Sequence, residues 1–158
     1  MAEESLDFPR LRAVLEEYAK QVVETYRRNI VQSDALATEQ LYNTVEYELA
    51  FGDVRIEVQL HLAPHWEYSE EDTRPHWAPS QAIKDWVRIK GIEYEDKAIS
   101  RASYFIRKKI AEEGTKGTHD LHNALEEVDR LYTDRILAAL KEDVEEGIAV
   151  VLYKAFGK

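Results

Sequence analysis

The sequence predicts an α+β fold: an N-terminal helix, an antiparallel β-hairpin or small sheet, a long loop rich in proline and tryptophan, then three helices packed on the sheet. Changes of pattern along the chain predict it. Apolar residues recur at three- and four-residue steps from Leu11 to Ile30, alternate with polar ones from Val45 to Leu62, and return to helical spacing from Ile83 onward. No shift in composition marks a second domain, so residues 1–158 are read as one.

Pro9 suits the first turn of a helix, where its missing N–H costs nothing. From there Leu11, Val14, Leu15, Tyr18, Val22, Tyr26 and Ile30 form one apolar stripe. Glu16, Glu17, Lys20, Glu24, Arg27 and Arg28 fall largely off it. Ser33-Asp34 reads as the stop, with a loop to about Thr38.

The period then becomes two. Val45, Tyr47, Leu49 and Phe51 alternate with Thr44, Glu46, Glu48 and Ala50; beyond Gly52-Asp53, Val54, Ile56, Val58, Leu60 and Leu62 alternate with Arg55, Glu57, Gln59 and His61. Glycine at the first central position suits a type II′ turn, so the expected loop is Gly52-Asp53. That register pairs Phe51 with Val54, Leu49 with Ile56, Tyr47 with Val58 and Val45 with Leu60. On the other face it sets Glu48 against Glu57, a mildly unfavourable pair.

Residues 63–80 hold three of the four prolines and two of the three tryptophans, too much proline for a helix or a central strand. Ser80 is the expected cap of a short helix with Ile83, Trp86 and Val87 on one face, ended by Gly91. A second helix runs from about Glu95 to Glu113 on a stripe of Ile99, Ala102, Phe105, Ile106 and Ile110, and Gly114 closes it. Gly114-Thr115-Lys116-Gly117 reads as a tight turn. Thr118 then caps a long helix whose stripe includes Leu121, Leu125, Val128, Leu131, Ile136, Leu140, Val144, Ile148, Val151 and Ala155. The segment GIAVVLY also fits a short strand, so the last ten residues are open between helix and strand.

The composition excludes several classes. With 44% hydrophobic and 33% charged residues the chain is neither disordered nor a membrane span, and its longest apolar run is Ile148–Tyr153. The start MAEESLDFPR shows no basic segment followed by an apolar one, so no secretory signal is expected. There is no cysteine, which removes disulfides, thiolate metal sites and cysteine nucleophiles. The net charge of −10 is uneven: residues 84–116 carry 9 basic and 6 acidic side chains, against 7 and 16 before them and 5 and 9 after. The acidic balance argues against tight DNA binding and suits a surface that DNA passes without sticking.

Chemistry-bearing patterns are weak. His61, His65 and His76 flank an acidic run and His119 and His122 stand at i, i+3, but neither group has zinc-site spacing, so no metal or cofactor is expected. The GTKG segment shares the GxxG spacing of RNA-clamping KH domains, without the strand and helix order that should surround it. No phosphate loop, no G-x-S-x-G elbow and no defensible Ser, His and Asp trio is present, so the chain is read as no enzyme.

Residues 66–117 carry an ordered combination. It runs Trp66, Tyr68, Glu70, Thr73, then Arg74-Pro75-His76-Trp77-x-Pro79, then Ile83-x-x-Trp86-Val87-x-x-Lys90-Gly91. It ends Ile106-Arg107-x-x-Ile110-x-x-x-Gly114-Thr115-Lys116-Gly117. This resembles the tail-completion, or head–tail joining (minor tail component), proteins of long-tailed bacteriophages. The likeness covers roughly residues 8–125 and leaves 126–158 as a C-terminal helical extension. One departure stands out: where family members tend to have Glu-x-Gly-Thr, this chain has Glu70-Glu71-Asp72-Thr73, so Asp72 is expected in a positive-φ conformation.

The resemblance implies a non-enzymatic virion protein of the phage neck, made in the host cytoplasm. It implies a homo-oligomeric ring between head-closure or adaptor protein and tail tube, with DNA passing through and no membrane. Trp66, Tyr68, Arg74, His76 and Trp77 are the expected subunit or partner contacts, since a long loop with this much aromatic surface is costly to leave exposed and Trp, Tyr and Arg dominate interface hot spots. The same tryptophans could instead fold back on their own core. The competing functions are another neck ring, head-closure or adaptor, and a small cellular adaptor or an enzyme whose site the sequence hides.

Overall fold

The computed structural model describes residues 8–33, 39–52, 55–64 and 66–157, with the side chains of Glu39, Gln40 and Tyr68 outside that description. The elements are α1 (Pro9–Gln32), α2 (Glu39–Asn43), β1 (Glu46–Phe51), β2 (Ile56–His61), α3 (Trp66–Glu70), α4 (Ser80–Ile89), α5 (Asp96–Glu113) and α6 (Asp120–Phe156). The fold is α+β. Contacts group the chain into two compact units, one of residues up to Thr25 with Glu46–His61 and everything from Ala124, the other of Tyr26–Val45 and Leu62–Asn123.

In the first unit α6 packs on α1. Arg10 reaches Asp143 at 3.0 Å, Arg135 reaches Glu17 at 2.6 Å, and the Tyr18 hydroxyl donates to Asp129 at 2.8 Å. Numbers that rise on one helix fall on the other, so the helices are antiparallel. The α1 stripe is as expected at Leu11 and Val22, both buried, joined by Ala19 and Val23. The α6 stripe holds in part: Leu121 and Val128 are buried, and Leu125, Ile136 and Val144 are half-buried. Ala124, Ala139 and Asp143 are buried outside that stripe, whereas Leu131, Leu140, Ile148 and Val151 of it are exposed. Small residues let the two helices approach closely, and a stripe chosen by large apolar side chains misses them.

The hairpin forms, in a different register. Phe51 pairs with Ile56, Leu49 with Val58 and Tyr47 with Leu60, and the Gly52 N–H donates to the Arg55 carbonyl at 2.7 Å. The intervening residues are therefore Asp53 and Val54, which lie outside the described residues, and not Gly52-Asp53. Sliding by two keeps every apolar residue on its face while changing the polar pairs. Glu48 now faces Gln59, Glu57 faces Ala50 and Glu46 faces His61. Separating Glu48 from Glu57 relieves the like-charge pair that the expected register imposed, and Glu57 instead meets Arg55 at 2.7 Å. The apolar face is half-buried, with the Arg12 guanidinium 4.1 Å above the Phe51 ring.

In the second unit Tyr26, Ile30, Leu41, Val45, Val87 and Ile99 are buried, and α4 packs on α5. By contacts α4 and α5 fall in this unit and the hairpin in the first. Arg27 fastens the chain after α2 by donating to the carbonyls of Tyr42 and Val45 at 3.2 and 2.9 Å. Gly91 and Gly114 end α4 and α5 at φ of 63° and 75°, as their sequence positions anticipate. Three local expectations fail. The proline-rich loop contains a five-residue helix, α3. Pro79, not Ser80, holds the N-cap of α4, and no side chain caps it. Phe105 is exposed, its place inside taken by Ser103. Of the two conformations left open for the last residues, the helix is the one adopted, to Phe156.

Candidate interface around the proline and tryptophan loop

The loop is fastened at its middle. Thr73 and Thr115 form an antiparallel bridge: the Thr73 N–H donates to the Thr115 carbonyl at 2.8 Å, the Thr115 N–H to the Thr73 hydroxyl at 3.0 Å, and the two hydroxyls meet at 2.7 Å. The Gly117 N–H donates to Asp72 at 2.8 Å. Asp72 is not at positive φ, which His119 alone adopts among the described non-glycine residues; its carboxylate serves as an acceptor instead. GTKG is therefore not a free tight turn but a segment bridged to residues 72–73. Its glycines are needed because a Cβ on Gly114 would lie 2.0 Å from the Thr73 carbonyl oxygen and one on Gly117 2.2 Å from that of Glu70. The spacing that suggested an RNA clamp is spent on the chain's own backbone.

Glu70, buried at the end of α3, accepts from the Leu121 and His122 amides at 2.9 and 2.7 Å. These are first-turn donors of α6, which no intrahelical acceptor can satisfy. The cap expected of Thr118 thus comes from Glu70, while Thr118 donates its N–H to the Ser69 carbonyl at 2.8 Å. Asp120, also buried, accepts from Ser33 at 2.7 Å and Thr118 at 2.6 Å. Beside these carboxylates the Tyr26 hydroxyl is buried with no hydrogen-bond partner among the described residues. Burial first, then the charges of Glu70 and Asp120, push it up to about 12; Ser69 stands near enough to oppose this slightly, without hydrogen-bond geometry.

Beyond the clasp the chain presents an aromatic shelf. Trp77 is 57% exposed, its ring 6.5 Å from Tyr104, which packs edge-on against Phe105 at 5.7 Å. Arg107 holds Trp77 outward: its guanidinium lies 5.3 Å from the indole centroid and donates from Nε to the Ala78 carbonyl at 2.8 Å. Ala78 itself is buried and anchors the shelf.

The expected contact residues separate into groups. Trp77, His76 and Arg74 are all exposed, and the His76 ring bonds the Arg74 carbonyl through Nδ1 at 2.8 Å. Trp66 opens α3 and is half-buried, with its N–H on the Ala63 carbonyl, so it serves its own chain at least in part. The Tyr68 side chain lies outside the described residues. Sequence reading missed Tyr104 and Arg107 as Trp77's partners; their three-residue offset on an otherwise polar helix face was the available signal.

Among the described residues no group of three or more His, Asp or Glu could hold a metal ion, and His65 lies outside them. Among them too, no helix is long and apolar enough to cross a membrane. No family model, curated protein or solved structure matches the chain.

Proposed function

We propose that this chain is a structural protein of a bacteriophage neck, forming a ring that completes the tail and joins it to the head connector. The ordered residues from Trp66 to Gly117, which resemble tail-completion proteins, motivate the reading. The observation that carries it is the Trp77 shelf: a large exposed indole held away from the core by Arg107, with exposed Arg74 and His76 beside it. Exposed aromatic surface with a cationic rim is the usual make-up of an interface anchor. Rings repeat such heterologous contacts until rotation closes them. The acidic balance of the chain suits a conduit that DNA passes without tight binding.

Trp77→Ala and Arg74→Ala test the reading. Both side chains are exposed, so each variant should lose under about 1 kcal/mol of stability in a denaturant melt. In negative-stain images the rings should disappear, and infected cells should accumulate separate heads and tails. Normal joining in both variants would refute the function.

A further inference from the structure

A second surface is as bare as the shelf. The last turns of α6 carry Ile148, Val151, Leu152, Tyr153 and Phe156, all exposed, with Tyr153 at 76% and Phe156 at 80%. A helix segment that is apolar nearly all round is ordinarily covered. Glu142, Glu145, Ala149, Leu152 and Phe156 follow at three- and four-residue steps, so one face is acidic at its start and apolar at its end. Glu145 is exposed and meets Lys141 of its own helix at 3.7 Å.

The solvent face of α5 has the complementary make-up. Lys97, Arg101, Tyr104, Phe105 and Lys108 lie at three- and four-residue offsets and are all exposed, with two cations before the aromatic pair and one after it. Trp77 extends the aromatic part. The stretch 84–116 is also the basic one of the chain, with 9 basic and 6 acidic residues against 5 and 9 in 117–158.

We infer that the C-terminal end of α6 from one copy of this chain docks on the Trp77–Phe105 shelf of the next copy. The inference rests on the ring reading above and names the occupant of that same shelf. Apolar end meets aromatic shelf, and Glu145 meets Lys97 and Arg101. A contact between two different surfaces of identical chains is heterologous, which is what a ring requires. Two cations precede the aromatic pair and one follows it, so the orientation that sets Glu145 against Lys97 and Arg101 is the favoured one.

The chain's two surfaces can be disabled separately. One variant stops after Gly147; the other carries Trp77→Ala, Tyr104→Ala and Phe105→Ser. Circular dichroism melts first establish that each is folded. In analytical ultracentrifugation at matched concentration the parent chain should form higher oligomers that dissociate as salt is raised, and each variant alone should be monomeric. Mixed together, the two should give a dimer and nothing larger, since the mixture holds one intact tail and one intact shelf per pair. The inference is overturned if the parent chain is monomeric, if the tail-less variant assembles like the parent, if the shelf variant does so, or if the mixture stays monomeric. A monomeric parent whose tail instead binds phosphatidylglycerol vesicles would assign the tail to a lipid surface. Head–tail joining separates this inference from the function itself. Joining that survives tail removal but fails in Trp77→Ala sinks the docking and spares the neck reading; joining that survives both sinks both.

Discussion

At its N terminus α6 gives two amides to the Glu70 carboxylate, with Asp120 and Thr118 alongside; at its C terminus Val151, Leu152, Tyr153 and Phe156 stand in solvent. The first end has polar groups the fold must satisfy, because a helix leaves its first amides without acceptors and burial makes the deficit costly. The second end has side chains that the fold does not use. Its exposed apolar surface forgoes roughly 25 cal/mol per Å² that coverage would supply. One helix thus shows which residues serve folding and which remain available for a partner.

The sharpest way to break the first end is through its glycines. Gly114→Ala places a methyl 2.0 Å from the Thr73 carbonyl oxygen at a φ of 75°, so the clasp must open. A loss of about 4 kcal/mol is expected from a clash with backbone plus a disfavoured conformation. Urea melts of Gly114→Ala and Gly52→Ala should differ sharply, because the nearest atom to a Cβ on Gly52 is 3.3 Å away.

Next in size is the removal of the caps. Glu70→Ala orphans the Leu121 and His122 amides and should cost about 3 kcal/mol. The first unit has a counterpart: buried Asp143 accepts from the Leu11 amide at 2.8 Å and from Arg10 at 3.0 Å. Asp143→Ala should cost about 2 kcal/mol, less because Arg10 keeps Glu146 at 2.6 Å. Glu70→Gln, which retains one acceptor oxygen, should fall between parent and Ala. Equal melts for Glu70→Ala and an exposed control such as Glu112→Ala would show that the cap contributes nothing.

These contacts explain what the sequence could and could not reveal. Helix α1 was legible because its stripe and its stop are local, and the glycines at 91 and 114 announced the ends of α4 and α5. The hairpin was legible in its faces but not its register, because two-residue slips preserve every inside–outside assignment and only the Glu48 and Glu57 charges choose between them. Caps supplied from 51 and 132 residues away leave no periodic trace. Of the candidate contacts, Trp77 was visible as an aromatic in a proline loop, whereas its pairing with Tyr104 and Arg107 depends on how α5 lies against that loop.

Tyr26 gives a smaller, pH-dependent effect at the same end of α6. Its folded-state value of about 12 lies above the ordinary tyrosine value of about 10, so the folded state favours the neutral phenol. The stabilisation is complete below about pH 10 and is lost as pH rises toward 12. Tyr18, raised by burial and by its bond to Asp129, acts in the same direction. Tyr26→Phe removes a buried hydroxyl that has no hydrogen-bond partner among the described residues. It should leave the neutral-pH melting temperature equal or slightly higher and make the alkaline decline shallower than the parent's. An unchanged alkaline decline would mean that Tyr26 ionises without opening the fold.

The smallest effect belongs to the bare end, and its smallness is the point. Leu152→Asp and Phe156→Ser alter side chains that are 52% and 80% exposed, so the dilute chain should melt within about 0.5 kcal/mol of the parent. Concentration should then separate them. Anything that binds the folded chain and not the unfolded one raises the melting temperature by mass action, and a second copy is such a ligand. The parent's melting temperature should therefore climb with protein concentration while the variants' stays flat, although all three coincide when dilute. Variants that melt early even at high dilution would show that α6 needs its last turns for folding. Its two ends would then serve the same purpose, and the contrast between them would fail.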